Sequence, residues 1–142
     1  FLTLVERKSL LTLIRKLETK DADTVASAII DAYMDLPKSW AKTITFDNGT
    51  EFACHERVSR ETGAAVYFAA PYSSYQRGTN ENTNGLIRRI IPKKMSFKSI
   101  SQERLDIIEA ELNNKPRKKL NLKSPNEVFN KQRLDQFVAL RA

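Results

Sequence analysis

The spacing of apolar residues along the chain predicts an alternation of strands and helices. Residues 1–8 and 10–17 are apolar runs rich in β-branched side chains and are separated by Ser9, which predicts a hairpin. Apolar residues then recur at helical spacing over residues 21–36, and acidic residues near the start of that segment favour a helix N-terminus. The chain is therefore expected to open with two strands followed by a helix.

The middle of the chain predicts a strand, a helix and a further strand. Residues 42–46 form a short β-branched run that ends in the turn-forming residues 47–49. A helix is expected over 51–61 and a strand over 64–69. This order favours an α/β sheet in which ligands gather at the C-terminal ends of the strands, and Asp47 lies at such an end.

The last part of the chain is predicted to be helical. A loop rich in turn formers covers residues 71–78 and precedes a helix over about 79–91. A longer helix is expected over 101–113. Ser124 followed by Pro125 predicts the start of a final helix, because serine caps helix N-termini and proline is tolerated at the first helical position.

One domain is the expected organisation, because 142 residues with 41% hydrophobic content suit a single core. Within it, residues 1–91 are expected to form the sheet and its helices, and residues 92–142 a basic helical part. No apolar run approaches the roughly 18 residues of a membrane span, so no membrane crossing is expected. The start has neither an initiator methionine nor a signal peptide, which is typical of an excised piece, and the single cysteine, Cys54, fits a reducing cytoplasm.

The positive charge of the chain is confined to one stretch. Residues 88–123 carry eleven basic and four acidic residues, so their net charge equals the +7 of the whole chain. Such a stretch suits a polyanionic partner. A solvated basic surface explains the charge alone equally well.

Two carboxylates are candidates for metal-dependent phosphoryl transfer to DNA. That chemistry uses hard oxygen ligands, because Mg²⁺ or Mn²⁺ ions must hold both the attacking and the leaving oxygen. Asp47 follows a buried strand, and Glu81 lies in the first turn of a predicted helix. Taken singly, each residue is better explained as a turn former or a helix cap.

Two blocks of sequence together change that interpretation. Residues 45–52 and 71–85 resemble the second and third signature blocks of the catalytic core shared by DDE transposases and retroviral integrases, and 33 residues separate Asp47 from Glu81, as is typical of that class. The chain looks most similar to bacterial transposases of the insertion-sequence-thirty family, through the phrases at residues 4–9, 47–49, 78–82 and 112–117. Four blocks in the right order are more specific than any one of them.

The resemblance implies a ribonuclease-H-like mixed sheet flanked by helices, and a transposase that cuts DNA and joins element ends to a target. Asp47 and Glu81 match the second and third metal-binding carboxylates, which hold two Mg²⁺ or Mn²⁺ ions in the intact protein. The first aspartate belongs to a central strand that is absent from this chain. We therefore expect the chain to be N-terminally truncated and inactive by itself, with two unpaired strand edges in its sheet.

The resemblance also implies that residues near Glu81 contact DNA. Asn84 and Arg88 share a helical face with Glu81, and Arg77 belongs to the loop that matches the family's active-site loop. The basic residues Arg117, Lys118 and Lys119 form a separate patch after the long helix that is expected to contact the DNA backbone. The full set of residues expected at the DNA is Arg77, Asn84, Arg88, Arg89, Lys93, Lys94, Arg117, Lys118 and Lys119. Tyr72 or Tyr75 could stack on a splayed base, although ordinary packing is the favoured interpretation for Tyr72.

A homo-oligomer acting on element ends and target DNA, in the bacterial cytoplasm at the nucleoid, is expected. The alternatives are a nuclease of the same fold and a non-catalytic or degenerate DNA-binding module, which would need only the basic stretch.

Overall fold

The computed structural model describes residues 1–37, 41–72, 78–91 and 95–139 of the chain. Within these ranges the backbone is a mixed α/β structure of four strands and five α-helices. The strands are β1 (Leu2–Val5), β2 (Thr12–Arg15), β3 (Thr43–Phe46) and β4 (Ala65–Phe68). The helices are α1 (Ala22–Met34), α2 (His55–Thr62), α3 (Gly78–Ile90), α4 (Gln102–Asn114) and α5 (Pro125–Ala139). The predicted α/β class and the predicted order of elements are confirmed.

β1 and β2 form the predicted antiparallel hairpin, with Leu2 opposite Arg15 and Val5 opposite Thr12. Both strands are shorter than predicted, because the Glu6 carboxylate organises a long turn between them. It accepts hydrogen bonds from the Lys8 N–H at 2.9 Å and from the Ser9 N–H at 2.7 Å. These bonds satisfy main-chain donors that a strand would otherwise have paired.

β3 and β4 form a parallel pair that runs from Thr43 opposite Ala65 to Phe46 opposite Phe68. The helix predicted over residues 51–61 begins later, since Thr50–Phe52 is a 3₁₀ turn and α2 starts only at His55. The Phe52 ring stacks on Phe46 at 4.5 Å, which holds this turn against the sheet. α2 ends within one residue of the predicted position, and its C-cap is Gly63, whose φ of 73° lies in the left-handed region that favours glycine.

The four strands form two sheets of two strands each in the ranges that the structure describes. One apolar core nevertheless spans both sheets, because Val25 and Ile29 of α1 belong to the same buried cluster as Leu2 of β1 and as Ile44 and Phe46 of β3. A second core lies on the opposite face of the hairpin, where Ile14 packs against α3 and α4 through Ile87, Leu105, Ile108 and Leu112. The hairpin is therefore covered on both faces.

Side chains of α4 bind the outer edge of β2. Three polar side chains of the helix form hydrogen bonds with the main chain of every second residue from Thr12 to Lys16, where a neighbouring strand would otherwise pair. The pairs are Asn113 with the N–H and C=O of Thr12 (2.9 and 2.7 Å), Glu109 with the Ile14 N–H (2.7 Å) and Gln102 with the Lys16 N–H (2.8 Å). We call Gln102, Glu109 and Asn113 the α4 polar row. It closes an edge that would otherwise be open to pairing with another chain.

α4 and α5 each begin with a serine cap, which the sequence predicts for Ser124 at the start of α5. The Ser101 hydroxyl accepts from the Arg104 N–H, and the Ser124 hydroxyl accepts from the Glu127 N–H. The Glu127 carboxylate in turn accepts from the Ser124 N–H at 2.6 Å, which completes a reciprocal capping box. None of the helices in the described ranges has the length and apolar character needed to cross a membrane.

Candidate active site

Asp47 follows the last residue of β3 and begins a turn that is hydrogen-bonded to the chain just beyond the neighbouring strand β4. Its Oδ1 accepts from the Gly49 N–H at 3.1 Å, and the Asn48 amide donates to the carbonyl of Ala69 at 2.9 Å, just beyond β4. Gly49 has an ordinary φ of −70°, so this turn does not depend on glycine's conformational freedom. Asp47 is therefore held at the C-terminal end of the parallel pair, as the sequence predicts.

Glu81 lies in the first turn of α3, where its predicted position is confirmed. The side chain is exposed, whereas Thr83 and Ile87 on the opposite face of the helix are buried. The Thr83 hydroxyl donates to the carbonyl of Thr79 at 2.9 Å within the same helix. The carboxylate is thus presented to solvent from a helix whose other face is fixed in the core.

A cavity of about 270 Å³ separates the two sheets. Leu4 and Leu13 of the hairpin line one side, and Ile44 of β3 lines the other. Tyr33 at the end of α1 also lines the cavity. Burial raises the pKa of its hydroxyl to about 12, so this side chain is uncharged at neutral pH. The cavity lies between β1 and β3, which are not paired with each other.

The segments that carry the two candidate carboxylates border this cavity. β3 lines it as far as Thr45, two residues before Asp47. α3 lines it through Thr79 and Asn80, immediately before Glu81. The structure therefore brings to one place two chain segments that are distant in sequence, and each continues directly into a carboxylate.

Two asparagines of α3 carry buried oxygens for which the described structure supplies no hydrogen-bond donor. They are Oδ1 of Asn80 and Oδ1 of Asn84, which lie one helical turn apart. Asn84, predicted to contact DNA, is half-buried, and its Oδ1 is out of reach of solvent. Sequence reasoning did not single out Asn80, although its place beside Glu81 on a helix with a buried face was a usable signal.

The donor set fits a hard cation only in part. Asp47 and Glu81 offer carboxylate oxygens, the ligands that Mg²⁺ and Mn²⁺ prefer. In the ranges that the structure describes, no three Asp, Glu, His or Cys side chains come together as a metal site. Two such ions would therefore need at least one further ligand beyond these two residues.

The basic residues predicted to contact DNA differ in their exposure. Arg88, Arg89, Lys118 and Lys119 are exposed, as a surface that meets DNA requires. Arg117 is half-buried and donates to the carbonyl of Leu112 at 3.0 Å at the end of α4, and its burial lowers the pKa of its guanidinium. Arg117 therefore stabilises a helix C-terminus in this structure. Arg77, Lys93 and Lys94, also predicted to contact DNA, lie outside the described residues.

Tyr72 is fully exposed and has a φ of 60°, an uncommon conformation for a residue other than glycine. The interpretation that Tyr72 packs in the protein is therefore wrong, because the short connection after β4 turns it outward. Tyr75 lies outside the described residues. The His55 ring packs edge-on against Phe68 at 5.1 Å, so in this structure the histidine packs against β4.

Most of the chain is similar in sequence to known transposases. It is 47% identical over 127 residues to the transposase InsI for insertion sequence element IS30C of Escherichia coli K12, covering 89% of this chain and 33% of that protein. It is 44% identical over 135 residues to the transposase for insertion sequence element IS4351 of Bacteroides fragilis, covering 95% of this chain and 41% of that protein. The chain is homologous to insertion-sequence transposases. The resemblance predicted from its sequence blocks is confirmed.

A third relative is the transposase for insertion sequence element IS1086 of Cupriavidus metallidurans, at 42% identity over 89% of this chain and 37% of that protein. No protein-family profile matches the chain. Because the matches cover 33%, 41% and 37% of the three proteins, the chain spans between a third and two fifths of the length of these curated relatives.

Proposed function

We propose that this chain is part of the catalytic core of a transposase that cuts and joins DNA at the ends of an insertion element. The observation that carries the proposal is its homology to insertion-sequence transposases over 89% of the chain. The structure adds a cavity whose bordering segments lead into Asp47 and Glu81. Asp47 follows the end of β3 and Glu81 lies in the first turn of α3, although neither residue lines the cavity itself.

Asp47 and Glu81 act in this proposal as metal-binding carboxylates. Bound Mg²⁺ or Mn²⁺ ions would supply a Lewis acid for the transferred phosphoryl group and lower the pKa of an attacking water or hydroxyl. The Asp47 turn, tied to Ala69, and the buried face of α3 keep the two carboxylates fixed relative to the bound DNA. Fixed ligands matter because Mg²⁺ demands near-ideal octahedral geometry.

The reaction proceeds in two displacements at phosphorus. Water first attacks a phosphodiester at the element end, a P–O bond breaks, and a 3′-hydroxyl is released. That hydroxyl then attacks a phosphodiester of the target, forming one P–O bond and releasing the target's own 3′-oxygen. Each step replaces one P–O bond by another and needs no oxidant or reductant.

A third carboxylate comes, in this proposal, from a further strand of a ribonuclease-H-like sheet. Residues of both β1 and β3 line the cavity, and in the described ranges each of these strands is paired on one side only. A strand there would pair with both and join the two sheets into one. Its C-terminal end would lie beside that of β3, close to Asp47.

DNA lies, in the proposed complex, along the exposed basic residues of α3 and of the turn after α4. Arg88 and Arg89 follow Glu81 on α3, and Lys118 and Lys119 lie in a 3₁₀ turn. Lysine and arginine at such places bind phosphate irrespective of base sequence. The acting form is a homo-oligomer in the bacterial cytoplasm at the nucleoid.

The test is metal-dependent cleavage and joining of a labelled element-end duplex by the whole polypeptide that carries this chain. Asp47→Asn and Glu81→Gln should each abolish both reactions while leaving DNA binding intact. Glu103→Gln is the matched control, because Glu103 is also an exposed carboxylate in the first turn of a helix but lies on α4. It should retain both reactions.

Each other outcome has a definite meaning. Cleavage without joining, lost in the same two variants, would identify a nuclease of this fold. DNA binding without cleavage in the unaltered polypeptide would identify a DNA-binding module. Undiminished reactions in Glu81→Gln would remove Glu81 from the chemistry and overturn the proposal.

A further inference from the structure

The connection between α4 and α5 contains a leucine in a conformation that leucine rarely adopts. Leu122 has a φ of 63°, and Asn121 before it has a φ of 53°. Asparagine tolerates this left-handed region, whereas the Cβ of leucine comes too close to the following carbonyl oxygen there. Strain of this kind persists only where the surrounding structure imposes it, and it is concentrated at functional sites.

Main-chain hydrogen bonds impose this conformation, because they close the connection on itself. The Arg117 N–H donates to the Lys123 carbonyl at 2.9 Å, and the Leu122 N–H donates to the Arg117 carbonyl at 3.0 Å. The Arg117 guanidinium donates to the Leu112 carbonyl, which ties the connection to the end of α4. We call residues 117–123 the closed loop. Its main chain is held in one shape although it lies at the surface.

The closed loop presents an apolar side chain among positive charges. Leu122 is 70% exposed, whereas Leu120, two residues earlier, is half-buried. All three lysines of the loop are exposed, and residues 115–123 contain five basic residues and no acidic one. Among the described residues, Lys118 and Lys119 form no ion pair. The strained leucine therefore adds little to packing and is available to a partner that also binds lysine.

Duplex DNA is the partner that this combination fits. Interfaces between proteins are poor in lysine, so a protein partner for this leucine is disfavoured. DNA accommodates both features, because its phosphates bind lysine and because proteins that bend DNA insert apolar side chains such as leucine between base pairs. The homology to insertion-sequence transposases makes DNA the expected polyanion, and in this respect the inference rests on the proposed function.

We propose that Leu122 inserts between two base pairs of the bound duplex and bends it, while the lysines of the closed loop bind the neighbouring phosphates. The hydrogen bonds that close the loop keep the leucine side chain extended from the protein surface when it meets the bases. Insertion partly unstacks one base step, so it favours DNA in which that step is already weakened.

The bend is measured by fluorescence energy transfer between dyes at the two ends of a duplex of about 30 base pairs, saturated with the whole polypeptide. Leu122→Ala should reduce the bend by about 20° or more, the smallest kink that such insertions produce. Leu122→Phe keeps an apolar side chain and should retain the bend. The unaltered polypeptide should bind a duplex with a central mismatch about tenfold more tightly than a fully paired one, and Leu122→Ala should lose this preference.

Leu122→Gly separates insertion into DNA from a structural role in the loop. Glycine adopts a positive φ freely, and removal of an exposed side chain loses little packing. This variant should therefore unfold at the same urea concentration as the unaltered polypeptide or at a higher one, and it should still lose the bend. A variant that loses the bend and is also destabilised in urea would assign Leu122 to the structure of the loop and overturn the inference.

Ile107→Ala is the matched control for the loss of an exposed aliphatic side chain. Ile107 is 57% exposed on α4, and Glu103 and Glu111 lie one helical turn before and after it. DNA is repelled by such a surface, so this variant should keep the bend and the preference for the mismatch. Lys118→Gln combined with Lys119→Gln should weaken binding to both duplexes about equally and leave the bend at saturation unchanged.

The outcomes distinguish this inference from the proposed function. An unchanged bend in both Leu122→Ala and Leu122→Gly would overturn the inference, as would an equal loss of the bend in Ile107→Ala. If the unaltered polypeptide bends DNA through Leu122 but neither cuts nor joins it, the proposed function fails and the inference stands. If it cuts and joins DNA, and the bend is the same in the Leu122 variants, the inference fails and the proposed function stands.

Discussion

Asn113 is predicted to be one of the most important residues for stability, although it is polar and remote from the candidate site. Its amide binds both main-chain groups of Thr12, with Oδ1 accepting at 2.9 Å and Nδ2 donating at 2.7 Å. Both residues are buried, with exposed fractions of 5% and 2%. Asn113→Ala would leave the N–H and the C=O of Thr12 without partners in a place that water does not reach.

The expected cost follows from those two groups. An unsatisfied buried donor or acceptor costs about 1–3 kcal/mol, so Asn113→Ala should lower the free energy of unfolding by about 2–6 kcal/mol. A domain of this size is stable by only about 5–15 kcal/mol, which makes this loss severe. Asn113→Asp keeps the acceptor for the Thr12 N–H but sets an oxygen against the Thr12 carbonyl. Its defect should therefore diminish at low pH, where the protonated acid can donate.

Equilibrium unfolding in urea, followed by circular dichroism, measures these changes. Asn114→Ala is the control, because the neighbouring asparagine is exposed and its Oδ1 only accepts from the Asn126 side chain. It should change the free energy of unfolding by no more than about 0.5 kcal/mol. Equal effects of Asn113→Ala and Asn114→Ala would refute the reasoning, as would a defect in Asn113→Asp that grows as the pH falls.

Three further predictions concern single residues. Gly63→Ala should lower the free energy of unfolding by about 1–2 kcal/mol because of its left-handed φ. Gly49→Ala, at an ordinary φ, should cost only about 0.5 kcal/mol in the same urea assay, because the Glu51 carboxylate that a Cβ there would meet is the end of a flexible side chain and can turn aside. Similar costs at the two positions would contradict this difference. Burial raises the pKa of the Glu109 carboxyl, so folding favours its protonated form and stability should fall as the pH rises from about 4.5 through the raised pKa. Glu109→Gln should flatten that slope in thermal unfolding measured across the same range. A hydrogen bond from the Thr19 hydroxyl lowers the pKa of the Asp21 carboxyl, so the ionised carboxylate stabilises the folded chain above about pH 3.8 and this stabilisation is lost as the pH falls below that value. The Tm of Asp21→Asn should therefore fall less on acidification than the Tm of the unaltered chain.

Local features of the fold could be predicted because local chemistry decides them. Ser124 caps α5 where the sequence predicts a helix start, and the acidic start of the segment 21–36 supplies Asp21 as the cap of α1. The late start of α2 was not predictable, because the helical spacing of residues 51–61 competes with packing of Phe52 on a strand that is near it only in the folded chain.

The sequence motifs predicted the positions of Asp47 and Glu81 in the fold but not the surroundings of the other candidate residues. Asp47 and Glu81 lie at the elements expected of them, because a turn after a strand and the first turn of a helix are local structures. The half-buried position of Asn84 depends on which face of α3 meets the core, which spacing defines only roughly. The hydrogen bond from Arg117 to the Leu112 carbonyl depends on the path of the chain after α4. A helical face shared with Glu81 was not enough to decide whether Asn84 meets DNA.

The α4 polar row was also missed, although a signal was present. Gln102, Glu109 and Asn113 recur at helical spacing beside the apolar residues of α4 that pack in the core. Polar residues at such positions are usually interpreted as a solvated flank of an amphipathic helix. Only the approach of β2, about 100 residues earlier in the chain, gives them main-chain partners.

The bonding of a helix to a distant strand also restricts how the gene can change in length. Deleting or inserting one residue within α4 rotates everything beyond it by about 100°, which would turn Asn113 away from Thr12 while Gln102 still met Lys16. No compensating change at one position repairs such a rotation, whereas a longer or shorter link before Ser101 or after Lys115 disturbs neither contact. Among homologous transposases, gaps should therefore accumulate in the connections on both sides of this helix and be rare between Gln102 and Asn113.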